Sequence, residues 1–476
     1  MYKAYICKIQ NLRNHPNGDN LYLGECFGNT VAVSRNGYKP GMTGVYFPTD
    51  GQLSVEFCEY NNLLRKKDEN GNNIGGYMDP DKRNVTAIKL RGEKSDGLFL
   101  PLSSLDFCFE NGTAAENLNV GDVIDVLNGH NICTKYIPRT NKRAVNTNAG
   151  NRTRKKRVPI APLFAEHADT EQLAYNLGDF RGGDQIEITL KLHGTSQRTG
   201  YLPVLSGFHR TIWDKLFRRP GSPIYSWDLV TGTRRTVLEG DVSGGYYGSN
   251  AFRIPHAELF RGKLWKGETV YYEVVGFTDS GTPIMGACSN KKLNDKAFVK
   301  QYGETTVFSY GCDPTGQKTM YGEDEDGTFS IPVEVPQSDI YVYRMTMTNE
   351  DGNVVEYTPG FMRYRCEQMG VKTVPVMWEG TIPHYDLLNG EHVIEGEEWS
   401  AGDWIKSIAE QYYDGPDPIG KTHVREGVVV RILNRPKFCA YKHKNWFFKA
   451  LEGIVKVEAE APDMEEADGL AEAETV

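Results

Sequence analysis

Between Gln185 and Leu190 the chain alternates strictly. Ile186, Ile188 and Leu190 fall on one side, Gln185, Glu187 and Thr189 on the other. A period of two marks a strand with one buried face. The run stops at Lys191-Leu192-His193-Gly194-Thr195, where a lysine stands beside a glycine turn and small hydroxyl residues. A lysine held there is a candidate covalent nucleophile. Its amine attacks phosphoryl or carbonyl centres once deprotonated, and desolvation or a neighbouring cation lowers its pKa. By itself the pentapeptide reads first as an ordinary strand-to-turn junction, since Lys-x-His-Gly occurs by chance.

The rest of the chain favours strands over helices. In the first 130 residues, short β-rich runs (Tyr5–Ile9, Leu21–Phe27, Thr30–Val33, Thr43–Phe47) are separated by Gly, Asn and Pro turns, a spacing that predicts a sandwich or barrel closing near Gly121–Val126. Further strands are expected at Glu268–Val275, Thr305–Tyr310, Asp339–Met347 and Gly427–Leu433, and helices at Ala168–Asn176 and Phe361–Met369. This mixture predicts an α+β protein on antiparallel sheets. The expected organisation is a β domain at 1–130, a basic linker at 131–158, a catalytic domain at 159–456 and an acidic disordered tail at 457–476. Residues 278–338 read as an insertion.

Of 476 residues, 39% are hydrophobic and 25% charged, an ordinary balance for a soluble protein. No apolar run is long enough for a membrane span, so no membrane partner is expected. Nine cysteines without a CxxC pair or metal-ligand spacing suggest free thiols and a cytoplasmic protein. The net charge of −9 is unevenly placed, since the last twenty residues carry eight acidic and no basic side chains. The remainder is close to neutral and can carry a local basic face. The densest basic run, Arg152-Thr153-Arg154-Lys155-Lys156-Arg157, is either a phosphate grip or a solvated segment.

Downstream of Lys191 come Tyr272-Glu273-Val274-Val275-Gly276, Tyr341-Val342-Tyr343-Arg344, Glu426-Gly427-Val428-Val429-Val430-Arg431 and Lys442-His443-Lys444. In this order the five stretches resemble the motif set of the covalent nucleotidyltransferases, the superfamily of polynucleotide ligases and mRNA capping enzymes. His193 followed by Gly194-Thr195 is more similar to RNA ligases than to DNA ligases, which usually carry Asp there. His15–Tyr22 and Lys89–Leu98 resemble segments of OB-fold tRNA-binding modules and of the N-terminal OB-like domain of one group of RNA ligases. The resemblance therefore implies a nucleotidyltransferase domain (ATP-grasp-like ligase) preceded by an all-β OB-like barrel.

It also implies roles. Lys191 would attack the α-phosphate of ATP, and the AMP would pass to an RNA 5′-phosphate for sealing by a 3′-hydroxyl. Lys442 and Lys444 would share the catalytic work, depressing the Lys191 pKa and neutralising phosphate. Glu426 would hold Mg²⁺, with Mn²⁺ as the alternative, and Glu273 would contact the ribose. Tyr343, with Tyr341 and Phe308 as competitors, would stack on adenine. Thr195 and Arg198 would reach the sugar or phosphates of ATP, and Arg234 the end phosphate of the RNA. A broken tRNA or a nicked duplex is the expected partner. Two other readings stay open: a capping-type guanylyltransferase using GTP, and a non-catalytic OB-fold RNA-binding protein.

Overall fold

The computed structural model describes residues 2–67, 69, 73–110, 112–137, 158–217, 221–238, 247, 249–324, 327–384 and 400–458. Two compact units emerge. The first is built from Met1–Asn141, Cys288–Thr305 and Asn445–Pro462, the second chiefly from Lys142–Ala287 and Thr306–Lys444.

In the first unit the four expected early strands form, at Ala4–Lys8, Leu21–Cys26, Asn29–Ser34 and Thr43–Phe47. An antiparallel sheet runs Leu98–Pro101, Thr43–Phe47, Ala4–Lys8, Val123–Ile124. Its apolar side chains, among them Ile6, Val45 and Phe47, pack with Leu53 and Phe57 in one core. The strand Cys133–Lys135 pairs with Gly51–Leu53, so this unit's sheets extend past residue 130. The basic run 152–157 lies outside the described residues.

The two stretches similar to OB modules meet in space. His15 Nδ1 accepts the Asn17 N–H at 3.0 Å, which leaves Nε2 to donate to the Leu90 carbonyl at 3.1 Å. Asn17 also donates to the Arg91 carbonyl at 3.0 Å. The hairpin of Ala87–Leu90 and Glu93–Asp96 is held by chain from far downstream. Lys89 pairs with Asp295 at 2.8 Å and Asp96 with Lys449 at 2.6 Å. The Lys94 ammonium lies 4.2 Å from the centre of the Phe447 ring. Lys449 and Phe447 belong to the helix Trp446–Glu458, whose place in this unit the sequence pattern does not reveal.

The second unit contains two five-stranded sheets. One is ordered Glu171–Gln172, β8 (Cys439–Lys444), β7 (Gly427–Ile432), β1 (Gln185–Lys191), β6 (Val376–Thr381). The other is ordered β3 (Ser222–Gly232), β2 (Thr195–His209), β4 (Glu268–Gly276), β5 (Ser338–Thr348), Val354–Glu356. All neighbours are antiparallel except Glu171–Gln172, which runs parallel to β8. The architecture is α+β on mostly antiparallel sheets.

Ile186, Ile188 and Leu190 are buried, as the alternation requires. The opposite face of β1 is also covered, because Glu187 is buried and ion-paired with Arg363 of α2 (Pro359–Met369). This helix, expected at Phe361–Met369, begins two residues earlier at Pro359, with the Thr358 hydroxyl accepting the Phe361 N–H. The helix expected at Ala168–Asn176 does not form. Edge pairing with β8 captures Glu171–Gln172 as a strand, and only a 3₁₀ turn, Leu173–Tyr175, follows. The strand expected at Thr305–Tyr310 is cut to Thr305–Thr306. Among the described residues no helix is long and apolar enough to cross a membrane.

A short helix, Ile254–Glu258, braces the start of β5 through His256, whose Nε2 lies 2.8 Å from the Ser338 hydroxyl. Burial pushes His256 down to about 4, with Asp339 opposing the shift and Arg253 adding to it. The unfolded chain therefore binds a proton below about pH 6.5 that the folded chain refuses until about pH 4. Stability should fall as pH drops through that window, by about 3 kcal/mol from this group. Urea unfolding at pH 7 and pH 4.5 measures it. The loss should shrink in His256→Asn, and an identical loss in that variant would remove His256 as the cause.

Candidate active site

The Lys191 end of β1 meets two other strand ends in register. Lys191 pairs with Gly427 on β7, and Gly427 with Lys444 on β8. Gly427 has φ +147°, and a Cβ there would lie 2.0 Å from the His443 carbonyl oxygen, so only glycine permits this approach. Glu426, one residue earlier, then sits between two ammonium groups. Its Oε1 is 2.7 Å from Lys191 Nζ and 3.4 Å from Lys444 Nζ. Lys442, two residues from Lys444 on the same strand, shares its face by alternation.

Glu426 is buried, and its Oε2 accepts no hydrogen bond among the described residues. The His193 ring approaches that oxygen, with Nδ1 at 3.8 Å. A buried carboxylate oxygen with spare acceptor capacity, beside lysines that can hold phosphate, suits a hard divalent cation bound through one carboxylate and phosphate oxygens. Among the described residues no three His, Cys, Asp or Glu side chains converge on a metal position.

The turn after Lys191 is held from both sides. Gly194 lies so close to β4 that a Cβ would meet the Val274 carbonyl at 2.4 Å and the Glu273 Cγ at 2.9 Å. The backbone N–H of His193 donates to the Tyr310 hydroxyl at 2.7 Å. Tyr310 is buried in the left-handed region at φ +49°, and its ring is met edge-on by buried His423 at 4.6 Å. Burial, reinforced by the charges of Asp417 and Glu426, keeps its hydroxyl protonated well above the usual range. Phe308 stands edge-on to the His193 ring at 4.7 Å. Tyr310→Phe should slow any reaction at Lys191 about tenfold while leaving nucleotide KM within twofold, because it loosens the turn and not the binding groups. A KM change with constant kcat would instead place Tyr310 in ground-state binding.

Glu273 lies across from Ser196 and is buried beside Gly194. Tyr343 is the extra residue of a β-bulge, since Tyr271 pairs with Arg344 and Tyr272 with Val342. Bulges re-aim side chains, and this one brings the Tyr343 hydroxyl to 2.8 Å from Ser196 Oγ. Ser196 thus joins Glu273 and Tyr343 on one side of the sheet. The His167 ring lies 5.0 Å from that of Tyr343.

Three other candidates are turned to different tasks. Thr195 pairs with Val274, one position out of phase with Glu273, so it occupies the opposite face. There its Oγ1 accepts from Arg253 Nη2 at 2.7 Å. Arg198 is buried, with its guanidinium donating to the Thr233 and Phe164 carbonyls, both at 3.0 Å. Arg234 forms an ion pair with Asp169. The competitors of Tyr343 are also occupied. Tyr341 donates to Asp339 at 3.2 Å, and Phe308 packs on His193 as described. Sequence reasoning gave no role to Tyr310, Arg253, His167 and Ser196: Tyr310 ends a stretch read only as a strand, Ser196 follows the Lys191–Thr195 motif without being singled out, and Arg253 and His167 stand in no motif.

The chain is similar to RNA ligases of known structure. A Naegleria gruberi RNA ligase variant with AMP and manganese is 14% identical, over 96% of this chain and 99% of that one, with a TM-score of 0.49. A variant of the same ligase with ATP and manganese is 15% identical over the same shares, with a TM-score of 0.48. The ligase with PPi gives 15% and 0.47, again over 96% and 99%. No protein-family model matches the chain. No curated protein matches it either. These likenesses are distant, and the functional reading rests on the side chains described above.

Proposed function

We propose that this protein is an ATP-dependent RNA ligase that works through a lysyl-AMP intermediate on Lys191. One observation carries the reading: Lys191 and Lys444 converge on a single buried oxygen of Glu426 at the junction of three paired strands. A structural ion pair needs one lysine. Two cations and a carboxylate with a spare oxygen make a place to hold and attack a phosphate.

The Lys191 amine attacks the α-phosphorus. A nitrogen–phosphorus bond forms, the bond to the bridging oxygen breaks and pyrophosphate leaves. Contact with Glu426 favours the Lys191 ammonium, the unreactive form. Lys444, with Lys442 on the same face, disfavours that form and neutralises the phosphate as charge builds. Glu426, through Oε2, would hold Mg²⁺ or Mn²⁺, which supplies Lewis-acid charge neutralisation on the phosphates. Glu273 contacts the ribose and Tyr343 stacks on adenine. Thr195 and Arg198 brace β2 from within the protein, and Arg234 stays a weaker candidate for the RNA end phosphate while paired to Asp169. The 5′-phosphate of RNA then takes the AMP, and a 3′-hydroxyl displaces it. The first unit, read as an OB-like barrel, contacts the RNA.

Incubation with Mg²⁺ and α-labelled ATP, then denaturing electrophoresis, tests the reading. Label should remain on the protein. Label from GTP alone would move the chain to the capping class, and RNA binding without label from either nucleotide would make it an RNA-binding protein. Glu426→Ala should slow adduct formation about 100-fold and raise the Mg²⁺ concentration needed for half the maximal rate. An unchanged rate and Mg²⁺ dependence would take Glu426 out of the site.

A further inference from the structure

The hairpin of β2 and β3 ends in one helical turn, α1 (Ile212–Leu216), whose surroundings the nucleotidyl-transfer chemistry leaves without a task. Four large apolar side chains stand there in water: Ile212 is 83% exposed, Trp213 67%, Leu216 67% and Phe217 59%. Scattered exposed apolar residues are ordinary, but four within six positions mark a contact surface. The turn is built. The Asp214 carboxylate accepts both the Thr211 N–H at 3.0 Å and the Thr211 hydroxyl at 2.7 Å. The Trp213 and Phe217 rings stack at 6.0 Å with an interplanar angle of 11°.

Charge selects the partner. From 207 to 221 the sequence carries Arg210, Lys215, Arg218 and Arg219 against Asp214 alone, in a chain whose net charge is −9. Exposed flat rings in a cation-rich stretch of sequence, within an acidic protein, suit a polyanion that also has rings to stack, namely unpaired nucleic acid. A bilayer fits less well. Helices that lie in the membrane interface run for several turns and present a continuous apolar face, which one turn does not.

We propose that this hairpin tip is a second RNA-contact site, at which unpaired bases of the substrate stack on Trp213 and Phe217 and a phosphate meets Arg210. The proposal rests on the RNA-ligase reading for the identity of the polyanion. It also sets a length requirement. β2 starts at Thr195, four residues after Lys191, and its fifteen residues span about 45 Å at ~3.3 Å each. An RNA must be long enough to touch both ends of that strand before the tip adds anything.

The test uses the full chain, as wild type and as the double variant Trp213→Ala/Phe217→Ala, whose changes lie at exposed positions. Fluorescence anisotropy measures binding of a single-stranded RNA of about 40 nucleotides and of one of about 8. The double variant should bind the long RNA at least tenfold more weakly and the short one equally well. Stacking at about 1–3 kcal/mol per base sets that scale. Arg210→Ala should reduce the salt slope of long-RNA binding by about 1. AMP-adduct formation without RNA should be unchanged in all variants. Equal binding of the long RNA by wild type and double variant overturns the proposal. If that equality comes with a variant-dependent loss of binding to anionic vesicles, the tip is a membrane contact. If it comes with a variant-dependent fall in molar mass by light scattering, the tip joins two copies. If no adduct forms but long-RNA binding still depends on the tip, the ligase reading fails and the RNA contact stands.

Discussion

Lys191→Ala abolishes denaturation-resistant labelling by ATP, leaving less than about one part in 10³ of the wild-type rate, since no other amine occupies the nucleophile's position. Lys191→Arg should be as inert, because a guanidinium remains protonated at any accessible pH. Neither change should unfold the protein. Glu426 keeps Lys444 as a partner in both variants, so the thermal midpoint should move by no more than a few degrees. The measurement is label retained per mole of folded protein, with circular dichroism verifying the fold. A folded Lys191→Ala variant that still accumulates a stable AMP adduct would end the assignment of Lys191, and with it the reading of the whole motif series.

Glu268→Ala should be the most damaging substitution for stability, at about 3–5 kcal/mol. Glu268 opens β4 with no exposed surface. Its two oxygens accept from Arg365 Nε and Nη2, both at 2.8 Å, and further from the Tyr357 hydroxyl at 3.0 Å and the Trp265 N–H at 2.7 Å. Arg365 in turn donates to the Lys263 carbonyl and lies over the Trp265 ring. Removing the carboxylate strands a buried guanidinium and a buried hydroxyl at once. Replacing both charges, in Glu268→Gln/Arg365→Met, should cost less than Glu268→Ala alone, because no uncompensated charge remains. Urea denaturation of the three proteins gives the comparison. A double variant less stable than Glu268→Ala would mean that the pair contributes more than its desolvation costs.

The strand ends around Lys191 were legible because each has a local signature. Alternation marks β1, the valine run marks β7 and Lys-x-Lys marks β8. Their meeting at Glu426 follows from strand pairing, which no local pattern encodes. Glu426 was expected at a metal and is found paired with Lys191 and Lys444. Thr195 and Arg198 show where local reading stops. Nearness in sequence to a nucleophile says nothing about which face of a strand a side chain takes, and one step of register sends Thr195 to Arg253. Tyr343 sits where it does because of a bulge, and bulges leave no periodic trace. Tyr310 and His167 arrive from segments distant in sequence, so only contact in space could reveal them. Ala168–Asn176 looked helical by composition, yet an available sheet edge decided its backbone.

The first unit also bears on how the chain is made. Its hairpin Ala87–Asp96 is fastened by Asp295, Phe447 and Lys449, residues that leave the ribosome long after residue 137. At about 5–20 residues per second that gap lasts roughly 15–60 s. The unit that begins at the amino terminus is therefore the last to be completed, and the polypeptide between must find its own packing while the first unit waits. A fragment ending at residue 137 would carry the hairpin without its fasteners. Excising both 142–287 and 306–444, with a flexible linker at each junction, is the cut that keeps the first unit whole.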